Sequence, residues 1–242
     1  MKAVLRLEKL SKSFGAVTVA DQLCFSLTEG EALGVIGPNG AGKTSMFNLI
    51  TGTLVPDAGR VYFNGLDVTA KSAADRCRAG IARSFQVPQP FSGLTVFENA
   101  MVAATQAANL GGARAENLCV DMLEQTGLLA KANTPAGSLT LLERKRLELT
   151  RALCAKPRLL LLDEIAGGLT EAECASLVGT INGIRMNGVS IVWIEHVVHA
   201  LIAVVDRLIV INFGEKFAEG NPADIMQNPR VQEIYLGIDA DA

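Results

Sequence analysis

Apolar and polar residues alternate with period two over residues 3–8 and 23–27, where Leu23, Phe25 and Leu27 share one face; the pattern predicts half-buried strands. Residues 60–68 (RVYFNGLDV) predict a hairpin turning at Asn64 and Gly65, because a tight hairpin turn needs positive φ at both central positions. Together these segments predict a small antiparallel sheet. Elsewhere the apolar runs are short and unbroken. Residues 31–36, 81–85, 158–163 and 189–194 read as core strands, as in a parallel sheet covered on both faces. Helical spacing takes over at 45–50, stopped by Gly52, and at 171–186, where Leu177, Val178, Ile181 and Ile184 fall together before Asn187 and Gly188. From Thr95 to about Leu129 the chain is alanine-rich and helical, broken at Gly111 and Gly112. Helices set between strands in this way predict a helical subdomain at approximately 87–155. Before it, Pro88 and Pro90 exclude regular structure from VPQPFSG. The chain closes with a strand pair around 208–218 and two short helices, each begun by an Asn-Pro pair (221–222 and 228–229).

Length and charge narrow the class. The 242 residues suffice for one sizeable α/β domain with a developed core. Hydrophobic residues make up 49%, yet no run reaches the length of about 18 that a membrane-spanning helix needs. The start, MKAVLRLEKL, lacks the apolar stretch of a signal peptide. Cysteines at 24, 77, 119, 154 and 174 form no C-x-x-C pair, which argues against a metal or disulfide framework and for a reducing, cytoplasmic setting. A net charge of −3 argues against a nucleic-acid surface.

The chemistry begins at residues 37–44, GPNGAGKT, which match G-x-x-x-x-G-K-[ST] between a predicted strand and a predicted helix. That arrangement aims backbone N–H groups and a helix N-terminus at one point, which favours a phosphate. Glycines at 37, 40 and 42 let the backbone wrap closely, Lys43 would reach the β- and γ-phosphates, and the Thr44 hydroxyl would take a position on Mg²⁺. Asp163 and Glu164 follow a tetra-leucine strand. Phosphoryl transfer needs a carboxylate for the metal and a group that orients water; Asp163 suits the first role and Glu164, as general base, the second. The expected fold is α/β: a P-loop NTPase (RecA-like) core with a small antiparallel β subdomain and an inserted α-helical subdomain.

GPNGAGKT, then FQVPQPF with Gln86, then LLLLDE, then IEH with His196 resemble, in order and spacing, the ATP-binding subunits of ABC transporters. The resemblance covers essentially the whole chain, 1–242, as a single ABC ATPase domain. GIARSFQVPQPFSGLTVFENAMVA, KRLELTRAL, DEIAGGLTEAE and the ending NPRVQEIYLG are similar to the importer subunits for branched-chain amino acids, amides and urea. The resemblance implies that Gly37, Asn39, Gly40, Ala41, Gly42, Lys43, Thr44 and Ser45 cradle ATP and that Phe14 stacks on adenine. It also implies that Thr44, Gln86 and Asp163 surround Mg²⁺, that Glu164, His196 and Gln86 serve catalysis, and that Gln86 senses the γ-phosphate. The implied partners are membrane permease subunits, a second ATPase subunit (the same chain or another) and, indirectly, a periplasmic or extracellular solute-binding protein. No nucleic-acid partner is implied. The implied location is cytoplasmic, peripheral on the inner face of the cell membrane. His199 has no such context and reads as helix surface.

Three positions depart from the family pattern. Where a glycine-bearing LSGGQ-like signature is expected, Leu139, Thr140, Leu141, Leu142 and Glu143 stand instead. Thr140 and Glu143 form a capping-box pattern, so a helix should start here, and its amides with the Thr140 hydroxyl would receive the γ-phosphate held by an opposing subunit. Leu142 restricts that approach and Glu143 brings a negative charge. Ile165 stands where proline is common, and Thr170, itself the start of a capping box, stands where an aspartate is expected. Two readings follow: an ATP-hydrolysing importer subunit for branched-chain amino acids or related solutes, or an ATP-binding regulatory subunit with weak hydrolysis beside a second ATPase. An ABC ATPase serving a different solute is a variant of the first.

Overall fold

The computed structural model describes residues 2–236; Gly237, the last residue of NPRVQEIYLG, lies outside them. Three buried parallel strands, β3 (Ala32–Ile36), β7 (Leu159–Asp163) and β8 (Ser190–Ile194), form the centre of a six-stranded sheet. With β6 (Ile81–Arg83), β9 (Arg207–Asn212) and β10 (Glu215–Gly220) the order is β10-β9-β3-β8-β7-β6, all parallel except β10. The unbroken apolar runs have a direct cause: both faces are covered. Leu33, Val35, Leu159, Leu161, Val192 and Ile194 face one core, and Ala32, Ile36, Leu160, Leu162, Ile191 and Trp193 face the other. Each such side chain, fully buried, contributes about 1.5–3 kcal/mol relative to exposure.

The first core is closed by α1 (Lys43–Thr51) and a four-stranded antiparallel sheet, ordered β2-β1-β4-β5. Here β1 (Ala3–Phe14) and β2 (Val17–Thr28) are longer than the alternation at 3–8 and 23–27 implies. Lys9 and Gln22 adopt positive φ near shifts in the β1–β2 register, and bulges of this kind interrupt the period-two pattern without ending the pairing. The hairpin of β4 (Ala58–Phe63) and β5 (Leu66–Asp67) turns at Asn64 and Gly65, with φ of 51° and 82°. Strand β6 ends at Arg83 rather than Phe85: Ser84 N–H still bonds Leu161 O, and beyond it the chain leaves the sheet.

Helix α2 (Ala73–Ala79) precedes β6; between β6 and β7 run α3 (Val96–Gln106), α4 (Ala113–Gln125) and α5 (Leu141–Cys154). The helical break lies between Gln106 and Ala113, where Asn109 and Gly112 take positive φ. These helices share apolar clusters of their own; in one, Ala100, Ala104, Ala115, Cys119 and Cys154 are small enough for close approach. Leu149, Ala152 and Leu153 of α5 also reach the second core of the large sheet, beside α6 (Glu171–Met186) and α7 (Val198–Ile202). The described residues close with α8 (Pro222–Gln227) and α9 (Pro229–Leu236), each opened by its Asn-Pro pair. All five cysteines are free, and among the described residues no helix is long and apolar enough to cross a membrane.

Candidate functional site

The site gathers at the carboxyl ends of β3, β7 and β8, where open α/β sheets place their ligands. After β3 the loop of residues 37–42 wraps back on itself and delivers α1. At Gly42, φ is 101° and a Cβ would overlap the Val19 carbonyl oxygen; at Gly37 it would overlap that of Ile211. These two positions are therefore restricted to glycine by contact as well as by torsion. No side chain caps α1, so its first N–H groups keep the partial positive charge that attracts an anion. Lys43 folds back, its Nζ donating to Gly37 O at 2.7 Å and Pro38 O at 2.9 Å. Burial pushes its ammonium down from the usual lysine range, opposed by the charges of Glu164 and Asp163. Ala41 is buried, Ser45 half-buried, and Asn39, Gly40 and Thr44 are exposed around this loop.

Asp163 ends β7 with its carboxylate buried and 2.6 Å from Arg83 Nη2. Burial raises its pKa, and the Arg83 hydrogen bond and charge oppose the rise. Arg83 also donates to Asn48 Oδ1 at 2.6 Å and lies against the rings of Phe47 and Phe85. The next residue, Glu164, has φ of 48°, a left-handed conformation that costs a side-chain-bearing residue about 1–3 kcal/mol. Its N–H donates to Ile194 O at 2.9 Å, tying the end of β7 to the end of β8. Gln86 Nε2 donates to one oxygen of its carboxylate and His196 Nε2 to the other, the latter at 2.7 Å. Lys43, Gln86, Asp163, Glu164 and His196 are thus brought together from loops far apart in sequence. Arg83, Lys145 and Glu195 belong to the same cluster and escaped the sequence reading. An arginine at the end of the apolar run IAR was the available signal for the first.

The remaining expected site residues lie at the end of β1 and at the start of α5. Phe14 ends β1, 54% exposed, with Lys12 Nζ 5.4 Å from its ring centre. Thr140 caps α5: its Oγ1 accepts from Glu143 N–H at 3.4 Å, and Glu143 Oε2 accepts from Thr140 N–H at 2.9 Å. Glu143 also pairs with Lys131 at 2.5 Å, so the charge at this helix start is neutralised within the chain. Leu142 is half-buried in the first turn of α5. Among the described residues no hydrogen bond or ion pair joins Thr140, Leu142 or Glu143 to the phosphate loop of the same chain. Ile165 packs into the second core, and Thr170 caps α6 through its own box with Glu173. Beside the site, a cleft of about 320 Å³ opens between the sheet edge and the inserted helices, lined in part by Cys77, Arg83, Phe85, Val102 and Arg151.

Comparison with known proteins agrees with this geometry. Residues 20–167 match the ABC transporter family, and residues 215–241 match the branched-chain amino acid ATP-binding cassette transporter family. The chain is 32% identical to the high-affinity branched-chain amino acid transport ATP-binding protein BraF of Pseudomonas aeruginosa, covering 98% of each. It is 30% identical to the lipopolysaccharide export system ATP-binding protein LptB of Escherichia coli, again covering 98% of each. Among solved structures, the ADP conformation of an ATP-binding cassette of an ABC transporter superposes with a TM-score of 0.89 at 29% identity, covering 98% of this chain and all of that one.

Proposed function

Because the chain belongs to the ABC transporter ATP-binding family and is an ATPase of that family, we propose that it hydrolyses ATP to drive uptake of branched-chain amino acids or related small solutes through a membrane permease. The observation that carries the catalytic part is the Glu164 carboxylate, gripped by Gln86 and His196 beside Asp163 and the phosphate loop. The solute class rests on the branched-chain amino acid match at the C-terminal end and on the similarity to BraF.

ATP would lay its β- and γ-phosphates on residues 37–45, and Lys43 would exchange the Gly37 and Pro38 carbonyls for phosphate oxygens. Phe14, exposed at the end of β1, would stack on adenine. Thr44, Gln86 and Asp163 offer oxygen donors of the kind Mg²⁺ takes. When bound, Mg²⁺ would offset the negative charge of the phosphates. Gln86 donates through Nε2 to Glu164, and its amide oxygen would be a ligand of the kind the cation takes. Glu164 would accept a proton from water while the water oxygen bonds to the γ-phosphorus and the bond to the β-phosphate oxygen breaks, leaving ADP and phosphate. His196 and Gln86 would hold the base in place.

A second ATPase subunit would complete each site with the start of α5. The N–H groups of Leu141 and Leu142 point along the helix axis toward incoming anions. Lys131 removes the repulsion that Glu143 would otherwise exert, which favours a competent site without signature glycines. The cleft beside Gln86 and the exposed Phe85, Val87 and Phe91 would receive the permease, placing the subunit on the cytoplasmic face of the membrane. A solute-binding protein would act only through that permease.

Phosphate release per chain, followed across protein concentration at saturating Mg-ATP with Glu164→Gln as control, tests this reading. Specific activity should climb with concentration, and Glu164→Gln should abolish it by at least about a hundredfold while still binding nucleotide. Flat, negligible activity that a second ATPase subunit restores would favour the regulatory reading instead, whose motive is the glycine-less segment.

A further inference from the structure

Two buried charges take no part in the steps above. Glu195 directly follows β8, immediately before His196, and is 1% exposed. Its Oε2 accepts from Ala166 N–H at 2.9 Å, and its Oε1 from His196 N–H at 3.0 Å and Val197 N–H at 3.3 Å. One carboxylate therefore bridges the turn after β7 and the turn after β8. Lys145, in the second turn of α5, is 5% exposed, and its Nζ donates to the Glu164 main-chain oxygen at 3.5 Å. Burial depresses the Lys145 ammonium, and the charges of Glu195 and Glu164 oppose that depression.

These bonds converge on the strained residue. The Glu164 N–H is held by Ile194 O, its carbonyl by Lys145, and the N–H two residues on by Glu195. A left-handed glutamate persists only where its surroundings over-determine it, and here the polar backbone groups on both sides are taken. The same carboxylate that fixes Ala166 fixes the backbone of His196, whose ring reaches Glu164. The Glu195 carboxylate thus helps set the separation between Glu164 and His196, together with the Glu164 N–H bond to Ile194 O. Lys145 brings in α5, whose N-terminal turn carries the Thr140 segment.

We propose that Glu195 and Lys145 are positioning residues for ATP hydrolysis: the Glu195 carboxylate locks the segments bearing Glu164 and His196 into one unit, and Lys145 ties that unit to the first turns of α5. The proposal rests on Glu164 as the base. Its consequence is that geometry at the α5 N-terminus, where an opposing subunit's ATP would bind, is transmitted to the Glu164 backbone through Lys145.

The test compares Glu195→Gln, Glu195→Asp, Lys145→Met and Lys145→Arg with the wild type and Glu164→Gln. Each full chain is assayed for kcat and KM at saturating protein concentration, for affinity toward a fluorescent ATP analogue, and for thermal unfolding. The Glu195→Gln amide must aim its NH₂ at N–H groups on one side. We expect its kcat to fall by about ten- to a hundredfold, the cost of small misplacement of a reacting group, with KM and analogue affinity unchanged because the phosphate loop is untouched. Lys145→Met should lower kcat in the same way, and Lys145→Arg should restore most of it. Folded variants with wild-type kcat overturn the proposal, as does a fall in kcat matched by an equal loss of analogue binding. If Glu195→Gln does not fold, Glu195→Asp and Lys145→Met decide by the same criteria; loss of folded protein in all of these would assign the pair to stability alone and also overturn it. Full turnover in Glu164→Gln would mean instead that the base is misassigned, a separate failure.

Discussion

Gly42 illustrates how much one side chain can matter. Its φ of 101° and the Val19 carbonyl behind it leave no room for a methyl group. Gly42→Ala should therefore lower stability by more than about 1 kcal/mol, the usual scale of such changes at compatible sites, and weaken nucleotide binding; thermal unfolding and analogue titration check both. The cysteines differ just as sharply. Cys24 is exposed, whereas burial pushes the thiols of Cys77, Cys119, Cys154 and Cys174 up, Cys154 most strongly. Thiolate is the reactive form, so alkylation near pH 8 should modify Cys24 first, the partly exposed Cys77 more slowly, and Cys119, Cys154 and Cys174 only on unfolding, as mass spectrometry would report.

At the scale of an element, the start of α5 is the most informative helix terminus. Thr140 and Glu143 satisfy two amide groups that the helix itself leaves unpaired, and Lys131 anchors the glutamate to the preceding segment. Thr140→Ala should cost about 1 kcal/mol. Lys131 and the Thr140 N–H hold the Glu143 carboxyl below the usual glutamate range. A depressed carboxylate stabilises the fold above the unfolded pKa, and that contribution disappears as pH falls through the lower folded value. The stability difference between wild type and Glu143→Gln should accordingly be present at neutral pH and shrink below about pH 4, measured by urea unfolding across pH.

For the whole molecule, the relevant feature is the cleft between sheet and inserted helices. Arg83 lines it while holding Asp163, and Gln86 follows three residues later while holding Glu164, so whatever fills the cleft lies against the backbone of the site. Val102→Glu places a charge on its apolar wall, outside the residues proposed for catalysis. It should abolish permease-coupled transport in reconstituted vesicles and leave ATPase activity of the isolated subunit within about twofold, since Val102 is half-buried on the cleft wall and belongs to neither large-sheet core.

Local chemistry made much of this legible from sequence. The Asn64 and Gly65 hairpin, the capped starts of α5 and α6, the Asn-Pro helices and the buried leucine strand each depend on a few consecutive residues, and those residues were sufficient. The phosphate loop was equally plain, because a strand, glycines at fixed offsets and a helix leave few alternatives. Long-range geometry was not legible. That β1 and β2 continue past their bulges depends on pairing between them, and that β6 stops at Arg83 depends on its pairing with β7, whose last partner is Leu161. Gly42 is confined by Val19, and Glu143 is neutralised by Lys131, neither of which its own neighbours reveal. Arg83, Lys145 and Glu195 read as ordinary charges until the fold buries them around Asp163 and Glu164. A buried charge is decided by partners, and partners on separate loops meet only in the tertiary structure.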